Sequence, residues 1–554
     1  MPQTRKMFDV LIIGAGIAGG SAAIKLADEG FRVAVLKRSD RERESSTSYA
    51  QGGIIGEGED DSPELLAKDI DLAGDEVGSR KAIEILASEG PKLVDEFLIK
   101  RLGVNFDADS NGRISKTYEA AHARARIFHH KDRTGWEIQK SITASLLSHP
   151  NITIFSNHTA VDLISTTHHA MKRGAIYGRT KILGAYALDL NEKTVKTILA
   201  SRVIIATGGI GALWARSSNP SGARGDGIAI AARAGASVIN MEYMQFHPTA
   251  FALAGASSFL ISEAVRGEGG VLRDDKGERF MFKFIAEDSR LEIADTEEEA
   301  NRWYADKKNN RRPPELMPRD EVTRAISSHM RKGRSIFLDL SPIRERGIDL
   351  ETRFPDIFKW CLENGLDLRR DLIPVAPAAH YLCGGIRVDE FGRTDKENLY
   401  AAGECSCTGL HGANRLASTS LLEGLTWGIR SAKHIIGTFN KEDFEDWRIP
   451  DWDDDGLFKE IEPRDCEYHM GHIKTIMWEH TGIVRSGGGL LLAKRILSLK
   501  LIEAENLYWR HKISDELVGL RNALEVAMLV ITQARRNKFN RGCHFREDVQ
   551  EAQK

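Results

Sequence analysis

Cysteine is scarce in this chain, and the few cysteines are far apart. The 554 residues include six of them: Cys361, Cys383, Cys405, Cys407, Cys466 and Cys543. They form one C-x-C pair and no C-x-x-C, and this dispersion excludes the usual thiolate metal sites. No activating group stands beside Cys405 or Cys407 in the sequence. We therefore expect no bound metal, and reduced, mostly buried thiols in a cytoplasmic protein.

The chain also has little net charge and no long apolar run. A formal net charge of -3 excludes the strongly basic surface on which nucleic-acid binding depends. No uninterrupted apolar stretch approaches the ~20 residues of a membrane helix, and MPQTRKM leads directly into a strand-like FDVLIIG without room for a signal peptide. With 42% hydrophobic and 28% charged residues, the composition is that of a soluble globular protein. We expect neither nucleic acid nor a membrane as a partner.

Three strand-like segments each end in a glycine turn. FDVLIIG is followed by a helical IAGGSAAIKLADEG and a second strand, FRVAVLK, which together predict a βαβ unit. SRVIIATGG at 201–209 and NLYAAGE at 398–404 repeat the strand and turn. Although hundreds of residues separate these segments, we expect them to assemble into one sheet.

The first turn carries a nucleotide-binding motif. Gly14, Gly16 and Gly19 form G-x-G-x-x-G directly after a strand and at the start of a helix. Glycines let the backbone approach a pyrophosphate, and the helix N-terminus offers it unpaired N–H groups. The motif predicts a dinucleotide without separating NAD from FAD. Lys37 stands where an acidic residue would hold the adenosine ribose, so the ribose contacts must come from elsewhere.

Three further features favour FAD. The ATGG turn spans 206–209, and Glu404 follows a strand and a glycine turn, as flavin-ribityl ligands often do. Ser420 and Glu423 have capping-box spacing, which predicts a helix beginning about Ser420. Its N-terminus would stabilise the negative charge that a flavin pyrimidine gains on reduction, although the same box would serve any surface helix.

The predicted fold class is α/β, with a Rossmann-like FAD-binding domain, an inserted α+β capping domain and a C-terminal helical bundle. We place the FAD-binding domain at 1–240 and 355–437, the capping domain at 241–354 and the helical domain at 438–554. In the helical domain we expect Trp478 and Trp509 to be core residues. The charged segment 283–314 lacks apolar periodicity, so we expect a solvated surface insertion.

Six segments carry a resemblance that covers nearly the whole chain: SSTSYAQGGI, YMQFHPTAF, LISEAVRGEGG, MPRDEVTRAI, AHYLCGGIRVD and GLHGANRLASTSLLEG. They resemble the L-aspartate oxidases, which belong to the group of succinate dehydrogenase and fumarate reductase flavoproteins. Members with covalent flavin have a histidine shortly before AQGG, where this chain has Ser48 and Tyr49, so the resemblance implies non-covalent FAD. The HPTA and NRLAS motifs are closer to aspartate oxidases than to succinate dehydrogenases. Glu119 stands where aspartate oxidases place a glutamate near the substrate ammonium.

The resemblance implies FAD-dependent oxidation of L-aspartate to iminoaspartate, with hydride passing from Cα to flavin N5 and then to oxygen or fumarate. This is the first step of NAD biosynthesis through quinolinate, which implies functional coupling to a quinolinate synthase. The alternatives are a fumarate reductase or succinate dehydrogenase type of subunit, which needs an iron-sulfur partner, and a flavin-binding protein without turnover.

The site residues follow from the motifs and the resemblance together. Substrate binding is assigned to Glu119, to Arg415 and His380 at one carboxylate, and to His247 and Ser262 at the other. The resemblance implies Arg319 as the candidate proton acceptor. Because a guanidinium ordinarily stays protonated, we expect Arg319 to act first as a charge clamp, with Glu263 or His247 as substitute proton acceptors. Taken singly, each histidine could be a core residue and Arg415 could cap backbone carbonyls. The cofactor contacts are assigned to Gly14, Ala15, Gly16, Gly19, Gly20, Lys37, Ser45, Ser46, Thr47, Gln51, Gly52, Gly53, Ala206, Thr207, Gly208, Gly209, Asp226, Glu404, Ser420 and Leu421.

The capping domain would supply part of this pocket and exclude water on closing. The charged segment before Arg319 looks longer than is usual for the family. We predict that it modulates lid motion or an interface.

Overall fold

The computed structural model describes residues 7–41, 44–119, 121–256, 258–440 and 447–549. Its strands are β1 (Met7–Ile13), β2 (Val33–Lys37), β3 (Ile54–Ile55), β4 (Lys116–Thr117), β5 (Ile127–Phe128), β6 (Ile152–Ser156), β7 (His158–Ser165), β8 (Ile182–Asp189), β9 (Thr194–Ile205), β10 (Val238–Ile239), β11 (Met244–Phe251), β12 (Val271–Asp274), β13 (Ile336–Asp339), β14 (Ile373–Leu382), β15 (Gly385–Arg387), β16 (Leu399–Ala401) and β17 (Ser406–Cys407). Its α-helices are α1 (Ile17–Asp28), α2 (Ser46–Tyr49), α3 (Pro63–Ala73), α4 (Arg80–Leu93), α5 (Thr134–Ser148), α6 (Thr166–His169), α7 (Asp226–Arg233), α8 (Glu263–Gly267), α9 (Glu297–Arg302), α10 (Arg319–Arg331), α11 (Ser341–Glu345), α12 (Leu350–Arg353), α13 (Pro355–Glu363), α14 (Thr419–Thr438), α15 (Pro463–Thr481), α16 (Gly487–Tyr508) and α17 (Asp515–Arg536).

The largest sheet has the order β6-β2-β1-β9-β8-β7, and β16 also pairs with β9. The contacts among β6, β2, β1, β9 and β16 are parallel. Because helices cover both faces of a parallel sheet, its strands are apolar on both sides, as the buried VLII of β1 is. The prediction that three distant glycine-turn segments share one sheet is confirmed, since β1, β9 and β16 are neighbours.

A second, antiparallel sheet has the order β11-β14-β13-β12. Helix α10 packs on β11, and a separate apolar cluster that includes Phe251, Val322 and Leu338 forms the core of this part. The strand β14 lies beyond residue 354 and joins this sheet to the rest of the chain. The α/β class, with a FAD-binding part, a capping part and a helical part, is confirmed. The exact domain limits stay a prediction.

The C-terminal part is a bundle of α15, α16 and α17, and α17 also packs on α7. Within the described ranges, α17 is long and apolar enough to cross a membrane by composition, but 67% of its most apolar window is buried in the protein. Trp478 is half-buried against Phe246. The prediction of a core position for Trp509 is wrong, because its side chain follows the end of α16 and is 69% exposed.

The charged segment 283–314 is more than a solvated insertion, so this prediction is also wrong. Ile293 and Trp303 are buried, and Arg311 donates two hydrogen bonds to the Glu299 carboxylate. Its apolar residues are too few and too irregularly spaced to form a periodic pattern. They nevertheless attach the segment to the second sheet and to the neighbourhood of the site described next.

Candidate active site

One elongated cavity runs from the first glycine turn to the junction of the two sheets. It contains about 1930 Å³ of space free of protein atoms, part of it open to solvent. All seven residues predicted to act on the substrate line it: Glu119, His247, Ser262, Glu263, Arg319, His380 and Arg415. The cavity is also lined by the predicted cofactor residues Gly14, Ala15, Gly16, Lys37, Ser45, Ser46, Thr47, Gln51, Gly52, Gly53, Ala206, Thr207, Gly208, Asp226, Glu404, Ser420 and Leu421.

The first glycine turn brings bare backbone to the cavity wall. Gly14 has a φ of 113°, and a Cβ there would lie 2.1 Å from the carbonyl oxygen of Ala206, so no other residue fits. Gly16 precedes α1 without a side-chain cap. The Thr47 hydroxyl accepts a hydrogen bond of 3.0 Å from the Ile17 N–H. The remaining N–H groups of the first turn form the kind of site that binds a phosphate.

Gly19, Gly20 and Gly209 are not among the residues that line the cavity, and their contact with the cofactor stays a prediction. A Cβ on Gly19 would lie 2.0 Å from the Gly14 carbonyl oxygen, and one on Gly20 would lie 2.3 Å from the Ile142 side chain. A Cβ on Gly209 would lie 2.0 Å from the Glu404 carboxylate. These glycines permit close packing of protein atoms behind the wall of the cavity.

Helix α14 points its N-terminus into the cavity and begins within one residue of the predicted start at Ser420, but its cap differs from the prediction. It begins at Thr419, and its N-cap Ser418 has a φ of 58° and caps with no side-chain hydrogen bond. The predicted capping box is therefore wrong. Glu423 instead accepts hydrogen bonds from Tyr381 and Thr408. The uncapped N–H groups leave a partial positive charge at this end of the cavity.

Glu404 lies in the cavity wall, where the described part of the chain gives its carboxylate one hydrogen bond. Its carboxylate accepts from the Leu382 N–H at 3.1 Å. Burial raises the pKa of this carboxyl to about 7. Such a group is suited to the hydroxyl groups of a polar chain, because it can accept hydrogen bonds in either protonation state.

Glu119 lies at the substrate end of the cavity. It is buried, and its carboxylate accepts a hydrogen bond of 2.5 Å from the Ser418 hydroxyl. Burial and the nearby Glu263 carboxylate raise the pKa of Glu119. A carboxylate in this position gains most from a cationic ligand, which would compensate its lost hydration.

Arg319 and Glu263 form a buried ion pair. The Arg319 Nε donates to the Glu263 carboxylate at 2.6 Å, and its Nη1 donates to the Gln245 amide oxygen at 3.1 Å. On the other side of Glu263, the guanidinium of Arg266 lies 3.3 Å from the same carboxylate oxygen. The three charged side chains form a continuous row that leads away from the cavity.

His247 and His380 lie side by side, with ring centroids 5.1 Å apart. Burial, together with the charge of Arg319, holds the pKa of both rings well below the usual value, so both are neutral. The His247 Nδ1 accepts from the Thr249 N–H at 3.2 Å, which places its proton on Nε2. His380 Nδ1 lies 2.7 Å from the Ser218 hydroxyl oxygen.

Arg415 completes the substrate end. It is buried, its Nη1 donates to the Ser420 hydroxyl at 3.1 Å, and its guanidinium lies 4.6 Å from the ring centroid of Tyr381. Burial and the neighbouring Arg319 charge lower the pKa of Arg415 to about 10. Within the described ranges, the Nε of Arg415 and the Nε2 of His247 are buried donors with no hydrogen-bond partner. Two such donors in one cavity indicate that an acceptor ligand belongs there.

The charged segment reaches the same end of the cavity. The Lys307 ammonium lies 4.5 Å from the ring centroid of Tyr118 and 4.9 Å from that of Trp303. Tyr304 donates a hydrogen bond of 3.1 Å to the carbonyl oxygen of Arg266. The segment therefore contacts the residue before Glu119 and the row of charges that begins at Arg319.

Several residues of the site were not assigned from the sequence. Gln245, Arg266, Tyr381 and Ser418 all fall inside the motifs that carried the resemblance, so the motif boundaries contained a signal for them. Ser218 lies outside every motif. Only the fold brings it to His380, because the loop after β9 runs beside β14, where Ser218 N–H donates to the Ala379 carbonyl oxygen.

Known proteins resemble this chain over almost its full length. The FAD binding domain family matches residues 9–421, and the C-terminal family of fumarate reductase flavoproteins matches residues 470–554. The L-aspartate oxidase of Halobacterium salinarum is 38% identical, covering 98% of this chain and 96% of that protein. The L-aspartate oxidase of Yersinia pestis is 37% identical, covering 98% and 96%. Among solved structures, quinol fumarate reductase of E. coli superposes with a TM-score of 0.81 at 26% identity, covering 100% of this chain and 93% of that one.

Proposed function

Because this chain belongs to the family of L-aspartate oxidases, we propose that its cavity seats L-aspartate among the residues described above, with FAD held without a covalent bond. The protein is an FAD-dependent oxidoreductase that converts L-aspartate to iminoaspartate, the first step of NAD biosynthesis through quinolinate. The observation that carries the proposal for the site is the pair of buried, unpartnered donors on His247 and Arg415, which lie in the same cavity as Glu119.

The cavity suits FAD along its length. The bare turn at Gly14 and the start of α1 would receive the pyrophosphate, and Glu404 would accept hydrogen bonds from the ribityl hydroxyls. The uncapped start of α14 would face the pyrimidine part of the flavin ring. Non-covalent binding is supported by Ser48, whose hydroxyl is hydrogen-bonded to the backbone of Ser45, in the stretch where covalent members carry a histidine.

The two substrate carboxylates would bind to different groups. Arg415 and His380 would hold one, and Ser262 and the Nε2–H of His247 would hold the other. Three of these groups are fixed before the substrate arrives: Arg415 by Ser420, His380 by Ser218 and His247 by the Thr249 backbone. Such preorganisation lowers the entropy lost on binding.

The third anchor would be Glu119, which would meet the ammonium group. Succinate has no cation to offer a buried carboxylate, so Glu119 would disfavour succinate and favour aspartate. This preference opposes the alternative of a succinate dehydrogenase type of subunit.

Oxidation of aspartate removes one hydride from Cα and one proton from the ammonium group, which leaves a C=N bond. When bound, FAD would supply the acceptor for this hydride. We assign proton removal to the Arg319–Glu263 pair, in which the Glu263 carboxylate would take up the proton and Arg319, whose Nε donates to that carboxylate at 2.6 Å, would hold it in position. His247 is less suited to this role, because its Nδ1 is already hydrogen-bonded and its Nε2 carries a proton. Its neutral ring would act as a donor.

The charged segment would set the position of these groups. Through Lys307 it packs on Tyr118, and through Tyr304 it holds the backbone of Arg266. This contact supports the prediction that the segment modulates closure of the site.

The protein acts on a dicarboxylate, with an acceptor such as fumarate. Coupling to a quinolinate synthase stays a proposal, supported by the instability that an imine product has in water. A cytoplasmic location is likewise proposed, since all six cysteines are free and buried, as expected in a reducing compartment.

The test is anaerobic mixing of the FAD-loaded protein with L-aspartate, with succinate and with buffer alone. L-Aspartate should bleach the flavin absorbance rapidly, and succinate should do so slowly or not at all. A flavin that stays yellow with L-aspartate would overturn the proposal. Faster bleaching by succinate than by L-aspartate would favour the succinate dehydrogenase alternative.

A further inference from the structure

Helix α16 carries a second apolar stripe on the side that faces away from the core. Its inward residues are Leu490, Ala493, Leu497, Ala504 and Tyr508. On the outer side, Leu492, Leu499, Ile502 and Trp509 are 48%, 69%, 61% and 69% exposed. A surface helix ordinarily carries polar residues on its outer face, and adjacent exposed apolar side chains mark an interaction surface. We therefore interpret the outer stripe as a surface that another polypeptide covers.

The stripe has the spacing of a coiled-coil seam. The spacing between successive members of the stripe alternates between three and four residues. The members are Leu492, Arg495, Leu499, Ile502, Asn506 and Trp509. We call these six residues the outer seam. It extends over about 26 Å at 1.5 Å per residue. Because only every third or fourth residue takes part, the spacing keeps the outer seam on one side of the helix, as in helices that pair with another helix.

We infer that the outer seam pairs with the outer seam of a second copy of this chain, with the two α16 helices antiparallel about a two-fold axis. With the axis between Leu499 and Ile502, each of these two residues faces the other in the second copy. Leu492 then faces Trp509, and Arg495 faces Asn506. Every apolar residue meets an apolar one, and the two polar residues meet each other. A surface that is its own complement under a two-fold rotation is what a symmetric dimer requires.

The charges favour the antiparallel arrangement over the parallel one. Parallel helices would bring Arg495 against Arg495, and like charges in direct contact are unfavourable. In the antiparallel pair, Arg495 lies within about one turn of Glu503 of the second copy. The Glu503 carboxylate is 59% exposed, and its contacts with Lys500 at 3.1 Å and His469 at 3.9 Å both use Oε2, so its Oε1 can face Arg495 of the second copy.

The dimer lies outside the candidate active site, since no residue of the outer seam lines the cavity. Its test is therefore independent of the proposed function. The FAD-loaded full chain is examined by sedimentation velocity over a range of concentrations, beside the double variant Leu499→Glu with Ile502→Glu. The wild type should form a dimer that dissociates on dilution. The variant should stay monomeric, with normal flavin absorbance and thermal midpoint.

Leu147→Glu is the matched control, because Leu147 is also 69% exposed and lies on α5. It should dimerise like the wild type. A wild type that is monomeric at every concentration, a dimer that persists in the double variant, or a control that becomes monomeric would each overturn the inference.

Cysteine cross-linking tests the direction of the helices. Arg495→Cys and Asn506→Cys are made in separately tagged chains, and the six native cysteines are buried and do not compete. After mixing and mild oxidation, the antiparallel dimer should give a disulfide between the two unlike chains. Cross-links confined to like chains would overturn the antiparallel pairing, and so would cross-linking no faster than that of a Leu147→Cys control.

Discussion

Replacing Glu119 with Gln tests the discrimination between aspartate and succinate most directly. The change keeps the size of the side chain and can keep a hydrogen bond to the Ser418 hydroxyl, which lies 2.5 Å away in the parent. It removes the charge that would meet the substrate ammonium. A buried charge pair that loses one partner costs about 2–5 kcal/mol. At about 1.4 kcal/mol per tenfold change, we expect kcat/KM for L-aspartate to fall by roughly 30-fold to 4,000-fold.

Succinate should respond in the opposite direction, because its two carboxylates no longer approach a third negative charge. The parent should also show a pH dependence that the variant lacks. Since the pKa of Glu119 is raised, the carboxylate forms only as the pH rises through that raised value. Reduction by L-aspartate should therefore increase with pH over that interval in the parent, and this step should be missing in the variant.

The assay is stopped-flow anaerobic flavin reduction with each substrate across a pH series. Glu390→Gln is a suitable control, since Glu390 pairs with Lys81 outside the cavity. Equal losses for L-aspartate and succinate, with FAD content and thermal midpoint unchanged, would refute the assignment of Glu119 to the ammonium group. So would a variant that retains full discrimination.

Three further changes test other parts of the site. Arg319→Lys keeps a positive charge but cannot donate to Glu263 and Gln245 at the same time in the geometry of a guanidinium. Single-turnover flavin reduction should therefore slow by at least tenfold. An unchanged rate of reduction would show that Arg319 takes no part in the chemistry. Lys307→Ala removes a cation–π contact of about 0.5–2 kcal/mol, so KM for L-aspartate should rise by roughly twofold to 30-fold. The control Lys307→Arg should keep the KM of the parent. Equal KM values in all three proteins would contradict the role given to the charged segment. Burial lowers the pKa of His122 to about 4, so this ring is neutral when folded and takes up a proton on unfolding as the pH falls below about 6.5. The free energy of unfolding should therefore fall progressively from pH 6.5 toward pH 4, by up to about 3 kcal/mol from this histidine. Urea unfolding at pH 7 and pH 5 should show a smaller fall in the free energy of unfolding for His122→Gln than for the parent. An identical fall in both proteins would contradict the lowered pKa of His122.

Much of the site could be predicted from local patterns. All seven predicted substrate residues and 17 predicted cofactor residues line the cavity, and many of them lie in the motifs that carried the resemblance. Gly19, Gly20 and Gly209 do not line it. A glycine that admits a ligand and a glycine that admits another part of the protein look the same in a sequence.

The sequence by itself determined the elements that depend on consecutive residues: the buried parallel strands, the strained turn at Gly14, and the chemical types available for the site. Each of these follows from steric or hydrophobic requirements that act over a few residues. The tertiary structure alone decided which distant groups meet. In the folded chain Glu423 accepts a hydrogen bond from Tyr381 instead of forming a capping box, Ser218 contacts His380, and Trp509 lies outside the core. These contacts depend on which side chains from separate segments compete for the same partner. That competition exists only once the chain has folded.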